Sequence, residues 1–291
     1  MYYSKILTDL KKQERNPVNK MYLGEIALKW KPFQKLTEEP SSGNKELADA
    51  LSKFLGSLHN RKFLFNKLRG TGFNEDSPLF SASYINDLIS TLMSRQPIMS
   101  EPGIVWDFQS LNYRLALKGS NPVEITRSPQ ISSQKTPPVL SLTLNLDYQY
   151  RVSGKRNFTK KTFNLPFLLF FVIKNLTPLD LFNIEHYALQ VKSTCHIAQT
   201  FVICETLEKC IECNFQEIPV KVFALHLESK KNRNQISVSM VNRLETAIKN
   251  VLYYSPEAHL VKEVEKAIIP TPQQEVSPKP KPRRSNYKIK K

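Results

Sequence analysis

Glycine is scarce in this sequence: 8 residues in 291, about 3% against a usual ~7%. No G-x-G-x-x-G and no G-x-x-x-x-G-K-[ST] occurs, which argues against a nucleotide site of the Rossmann or P-loop kind. Nucleophile motifs are missing as well. Neither G-x-S-x-G nor H-E-x-x-H is present, and the five histidines are scattered. A long apolar run is also lacking. The most apolar stretch, Leu165-Pro-Phe-Leu-Leu-Phe-Phe-Val-Ile173, is nine residues with a proline, whereas a spanning helix needs roughly 20. It reads as a buried β-strand, with peripheral membrane contact as the second reading. The N-terminus Met1-Tyr-Tyr-Ser-Lys-Ile-Leu has no apolar signal core or small-residue cleavage site. With only four cysteines, that points to a reducing, intracellular compartment. Acid is short relative to base: 26 Asp+Glu face 42 Lys+Arg, a formal net charge of +16.

What is present suffices for a folded core. Apolar residues make up 41% of the chain and charged residues 23%, so wholesale disorder is excluded. The length allows one large or two modest domains at about 100–200 residues each. Four regions emerge. Residues 1–100 form a helical N-terminal region. A helix over 45–68 is marked by Leu47, Leu51, Phe54, Leu55 and Leu58 on one face, and one over 81–95 by Tyr84, Ile85, Leu88 and Leu92. From Gly103 the period changes, and residues 101–235 read as a β-rich core. Its clearest strand alternates Leu140, Leu142, Leu144 and Leu146 with Ser141, Thr143 and Asn145. Further strands are expected at 105–108, 113–117, 163–173, 187–192, 198–204 and 220–227, with a short helix near Thr177. Residues 236–269 form C-terminal helices. Residues 270–291 hold five of the 19 prolines and seven Lys/Arg against Glu275 alone, the composition of a disordered basic tail. The fold class is therefore α+β: a sandwich or jelly-roll-like β core with helical ends.

Three groups of residues bear on chemistry. Cys195, Cys204, Cys210 and Cys213 lie within 19 residues. Cys210-Ile-Glu-Cys213 has a zinc-knuckle gap, and His196 or His226 is available to help. A structural site usually pairs two such knuckles, and free cysteines in β-like sequence behave as small hydrophobes. Buried thiols, zinc and a disulfide are the readings, in that order. The second group is Phe223-Ala-Leu-His-Leu-Glu228-Ser-Lys230, apolar residues followed by Glu-x-Lys. Tyr187-Ala-Leu-Gln190-Val-Lys192 offers the rarer Gln-x-Lys form. Both imitate the core of PD-(D/E)xK nucleases, in which a strand delivers an acid and a lysine to a metal-bound phosphate. Glu205 and Asp180 are candidates for the upstream acid such a site needs. The plainer reading is a strand leaving into a charged loop.

The third group is basic residues with aromatics between. Arg151, Lys155, Arg156, Lys160 and Lys161 stand among Tyr148, Tyr150 and Phe158, and Lys230, Lys231 and Arg233 add a second patch. Basic grooves with aromatic faces hold single strands. Arg283 and Arg284, within Pro280-Lys-Pro-Arg-Arg284, suit the same polyanion or a nuclear import receptor. The charge thus favours a non-enzymatic, sequence-indifferent binder of single-stranded nucleic acid. A metal-dependent nuclease around Glu228 and Lys230 and a zinc-stapled nuclear or viral adaptor are the alternatives. No cofactor is implied by the binding reading.

Leu142-Thr-Leu-Asn-Leu-Asp147-Tyr-Gln-Tyr-Arg151 resembles the strand-Asp-basic signature of the "30K" superfamily of plant-virus movement proteins. Residues 163–173, Asn175, Asp180, the apolar stretch 187–191 and Phe201-Val-Ile-Cys204 follow in that family's order. The resemblance covers about residues 140–204. It implies a non-enzymatic β-rich protein that carries viral genomes through plasmodesmata of the host, with Asp147 as a structural core acid. Self-association and the peripheral membrane contact read from residues 165–173 are separate expectations about partners.

Overall fold

The computed structural model describes residues 1–39, 41–59, 77–110, 112–118, 130–135, 139–150, 159–208, 220–226 and 234–253. Three helices come first: α1 (Tyr2–Gln13), α2 (Pro17–Glu38) and α3 (Asn44–Leu58). Asn16 caps α2, its side chain accepting from Val18 N–H, and Pro17 follows where a missing N–H costs nothing. Tyr3, Trp30, Phe33 and Phe54 lock the three together. Trp30 sits 4.8 Å from Tyr3 and Phe33 and 4.9 Å from Phe54, ring centre to ring centre, in the range of favourable aromatic packing.

The fourth helix, α4 (Ser83–Ser94), lies between this bundle and the sheet. It is apolar enough to be buried nearly all round, and Leu88, Ile89, Leu92 and Met93 are inaccessible to solvent. The strands are β1 (Ile104–Gln109), β2 (Asn112–Lys118), β3 (Gln130–Lys135), β4 (Val139–Tyr150), β5 (Thr159–Leu176), β6 (Gln199–Leu207) and β7 (Val220–Ala224), with α5 (Pro178–Thr194) and α6 (Val238–Tyr253). Five strands form one mixed sheet in the order β1-β4-β5-β6-β7, while β2 and β3 pair as a separate ribbon. β1, β4 and β5 are an antiparallel meander; β6 and β7 run parallel to β5. The α+β class with helical ends and a β core is as expected. Within it five of the described strands make one mixed sheet flanked by helices, and the β2–β3 ribbon stands apart from it.

One sheet face packs on α4 and α6 through Leu140, Leu142, Leu168, Phe170, Phe201, Ile203 and Phe223. The other carries α5, whose Leu181, Ile184, Ala188 and Val191 meet Val202, Cys204, Val220, Val139 and Leu169. Gly103, at φ +81°, opens β1 and passes its backbone O to Asn145 N–H at 2.8 Å. Pro166 sits in β5 at a bulge, where Thr143 faces Pro166 and Leu142 faces Leu168.

One element corrects the sequence reading. Residues 187–192 are not a strand but the second half of α5. Thr177 and Asp180 close a capping box at its start, each side chain bonding the other's backbone. The helix is apolar on two sides: Leu181, Ile184 and Ala188 are buried, yet Leu179, Phe182 and Leu189 are exposed. That erases the 3.6-residue contrast and leaves Tyr-Ala-Leu-Gln-Val looking like a strand. A strand that the sequence reading did not include, β3, lies at Gln130–Lys135. The second C-terminal helix and the basic tail lie outside the described residues.

The N-terminus of α1 is tied to α4. Asp87, buried, accepts the backbone N–H of Tyr2 and, at 2.9 Å, that of Tyr3, doing in trans what a capping side chain does. Burial raises its carboxyl above the usual range, and the two N–H donors oppose this. Asp87→Ala strands both donors and is expected to cost about 2 kcal/mol, measured as a lower midpoint in urea unfolding with the slope unchanged.

Candidate functional site

Three parallel strands point their carboxyl ends the same way, and polar residues gather there. Lys174 is near the end of β5, between the pairs Ile173–Cys204 and Asn175–Thr206 that bind β5 to β6. Glu205 lies beside it, near the end of β6. His226 follows β7, where Leu225 N–H bonds Cys204 O at 2.9 Å and His226 N–H bonds Glu205 O at 3.1 Å. A bridge from His226 to Ile236 then turns the chain toward α6. Tyr84 enters from the first turn of α4.

These side chains form a chain of contacts inside the protein. Tyr84 Oη and His226 Nε2 are 2.8 Å apart, and Glu205 hydrogen-bonds the same hydroxyl. Tyr84, Glu205 and His226 are 1%, 7% and 8% exposed, so the group is dehydrated. A phenol has one proton. When Tyr84 donates it to the Glu205 carboxylate, His226 must supply Nε2–H; when it donates to His226, Glu205 must carry the proton. Burial pushes the Glu205 carboxyl up to about 6, against hydrogen bonding from Tyr84 and the charge of Lys174. Burial and the Glu205 charge push the Tyr84 phenol well above its ordinary value. A buried carboxyl titrating at about 6 beside a lysine, at the ends of parallel strands, suits proton transfer.

The sequence-predicted residues fare unequally. Glu205 is in the cluster. Asp180 is not: its carboxylate is consumed by Thr177 in the capping box of α5. Gln190 and Lys192 ride on α5 and not on a strand, so the Gln-x-Lys pattern delivers nothing to a sheet end. Lys160 and Lys161 are on β5, opposite Gln149 and Tyr148, and Asp147 is on β4 opposite Thr162. Arg151, Lys155, Arg156, Glu228, Lys230, Lys231, Arg233, Arg283 and Arg284 lie outside the described residues, as do Cys210 and Cys213.

Cys195 and Cys204 are buried free thiols in separate apolar clusters. Cys195 Sγ donates to Pro166 O at 3.3 Å and Cys204 Sγ to Phe223 O at 3.7 Å. Burial raises both thiols, that of Cys204 to about 12, which suppresses the thiolate that zinc would need. Tyr84, His226 and Lys174 were not singled out as one site. Tyr84 and His226 are 142 positions apart, and no spacing rule reaches that far.

A hard cation such as Mg²⁺ takes one or two carboxylates and completes its shell with water and substrate phosphate. Glu205 is the carboxylate the described cluster contributes, and no group of three or more His, Cys, Asp and Glu is gathered among the described residues. The described donors do not by themselves make a metal site. No described helix is long and apolar enough to cross a membrane.

No family model matches the chain, and no curated protein matches it. Among solved structures the fold is similar to that of BbvCI, a restriction endonuclease determined as a native A2B2 tetramer. The TM-score is 0.57 at 13% identity, over 86% of this chain and 94% of that one. At that identity the likeness is one of fold.

Glu205 makes the site costly to fold above its pKa. A carboxyl raised from 4.5 to about 6 favours the folded state while protonated and loses that contribution as pH rises through about 4.5 to 6. Above that window the ionised form costs about 2 kcal/mol. Glu205→Gln is therefore expected to unfold at a higher temperature than the wild type at pH 7.5, with the gap closing by pH 4. Thermal melts across that range check it, and equal melting temperatures at pH 7.5 would contradict the buried charge.

Proposed function

We propose that this protein acts on nucleic acid as a phosphodiester hydrolase built on the restriction-endonuclease fold, with Glu205 and Lys174 at its reactive end. The observation that carries the reading is the dehydrated Glu205 beside Lys174 at the carboxyl ends of β5 and β6. The likeness of the whole fold to BbvCI supports it, and so does the +16 charge, which suits a polyanionic substrate.

The chemistry follows from the groups present. Hydrolysis adds water at phosphorus and spreads negative charge over the phosphoryl oxygens. The Lys174 ammonium is placed to offset that charge. Glu205, anionic above about pH 6, is an acceptor for a proton from water. Tyr84 and His226 hold the Glu205 carboxyl in one orientation and act through it, as positioning residues. Glu205 alone among the described residues does not hold a metal; Glu228, two residues past His226 in the sequence, lies outside those residues.

A second reading keeps the nucleic acid and drops the cleavage. It is favoured by the single carboxylate in the described cluster, and the expected single-strand binding and movement-protein resemblance belong to it.

Labelled single- and double-stranded DNA and RNA, incubated with Mg²⁺ or Mn²⁺, separate the readings. Cleavage is expected, rising through about pH 6 and falling at least 100-fold in Glu205→Gln and Lys174→Ala. Binding without cleavage under every condition leaves the second reading. Cleavage that survives Glu205→Gln but is lost in Glu228→Ala moves the site to the Glu-x-Lys pair.

A further inference from the structure

A second feature lies on the same sheet face as Glu205, at the β7 side. A groove of about 560 Å³ runs between β7 and α6, lined by Lys221, Asn242, Arg243, Thr246 and Asn250 over a floor that includes Phe223. None of its lining residues is acidic. Asn242, Thr246 and Asn250 repeat every four residues along α6, so they form one row. The opposite row of α6, Val241, Leu244 and Ile248, is buried in the core and fixes the helix against the sheet. The groove is thus a rigid wall of amide, hydroxyl and guanidinium facing a strand with a lysine.

Its two cations lack acidic partners among the described residues. Lys221 Nζ lies 5.6 Å from the centre of the Phe201 ring, and partial burial lowers its pKa. Arg243 reaches only Met240 Sδ, at 3.6 Å. The nearby Glu245 is already committed, to Asn44 at one oxygen and to Lys249 at 2.8 Å on the other. Asn44 also donates to Asn242 Oδ1 at 2.9 Å, which leaves the Asn242 N–H₂ as a donor. An ammonium held against an aromatic face, with no acidic partner among the described residues, is stabilised by a bound anion.

We infer that this groove holds the phosphodiester backbone of a nucleic acid, as a binding site separate from the reactive end. From Asn242 to Asn250 the row spans about 12 Å of helix, the axial rise of three to four nucleotides at about 3.4 Å each. Its two cations, Lys221 and Arg243, meet phosphate rather than base edges in this reading, so the groove positions the strand and does not select sequence. Lys221 on β7 works against the other occupant of such a groove, an added protein strand, because lysine on an edge strand discourages pairing. Phe201 pairs with Lys221 and Ile203 with Phe223, and Glu205 lies four residues beyond Phe201, about 13 Å along the sheet. One nucleic acid can engage both places at once.

The inference rests on the nucleic-acid reading, and the experiment keeps the two apart. Fluorescence anisotropy of a labelled duplex and a labelled single strand is measured without divalent metal from 50 to 300 mM NaCl, using the wild type, Lys221→Gln, Arg243→Gln and the double variant. Thermal melts confirm that each folds. Both side chains are outside the core, so the variants keep the Glu205 cluster intact. The double variant is expected to bind about tenfold or more weaker at 150 mM salt, for every sequence alike. Its log–log salt slope should be shallower by about 2. Wild-type binding with the same affinity and slope in the double variant overturns the groove alone. No binding by the wild type overturns both the groove and the nucleic-acid reading.

Discussion

Parallel pairing of β5 with β6 constrains this molecule more than any other contact. A parallel pair cannot be closed by a tight turn; it needs a crossover, and α5 supplies it. Because α5 then covers one face while α4 and α6 cover the other, β5 and β6 are apolar on both sides: Phe170 and Leu169, Ile203 and Val202 are all inaccessible to solvent. Such strands have no flank on which a polar group can sit without a dehydration penalty. Polar chemistry is driven to their ends. Lys174 and Glu205 stand there, where the apolar runs 165–173 and 201–204 stop.

The placement of Glu205 is stabilised by nothing proportionate to its cost. Its raised pKa says that folding works against its ionised form, and Tyr84 and Lys174 offset only part of the dehydration. A chain under no demand at that position would be more stable with glutamine there. Cys204, the adjacent residue, illustrates the contrast. Its burial also raises its pKa, but a neutral thiol fills apolar space at no such cost. Dehydration tolerated for a charge, next to dehydration that merely suits a thiol, is what singles out Glu205 for the proposed role.

Much of the fold was legible because alternation survives where one face is apolar and the other is not. Leu140, Leu142 and Leu144 against Ser141, Thr143 and Asn145 announce β4, and the row from Leu47 to Leu58 announces α3. The reading failed at α5 for the converse reason. With Leu181 and Ala188 inside and Leu179, Phe182 and Leu189 outside, no periodic contrast remained, and the capping box at Thr177 was the better signal. The site was legible only in part. Glu205 was named as an acid, but the lysine beside it is on the neighbouring strand and not two residues away, as a linear motif requires. Sheet pairing puts Lys174 next to Glu205, and the packing of α4 brings Tyr84 to His226. Neither adjacency is written in any short stretch of sequence.

The opposed titrations on one sheet face explain why a separate cationic groove matters. A phosphate approaching the strand ends meets the Glu205 carboxylate, which repels it, and among the residues of the described cluster Lys174 is the one that answers that repulsion. The same phosphate raises the Glu205 pKa further, because an added negative charge disfavours the ionised form. Attraction strong enough to hold a polyanion there has to come from cations that are not already balanced by acids. Lys221 and Arg243 meet that condition among the described residues, and Lys221, whose ammonium is itself partly dehydrated, gains most from an anion beside it. A strand held at the β7 edge can then be brought to an end of the sheet that, by its own charge, would only weakly retain it.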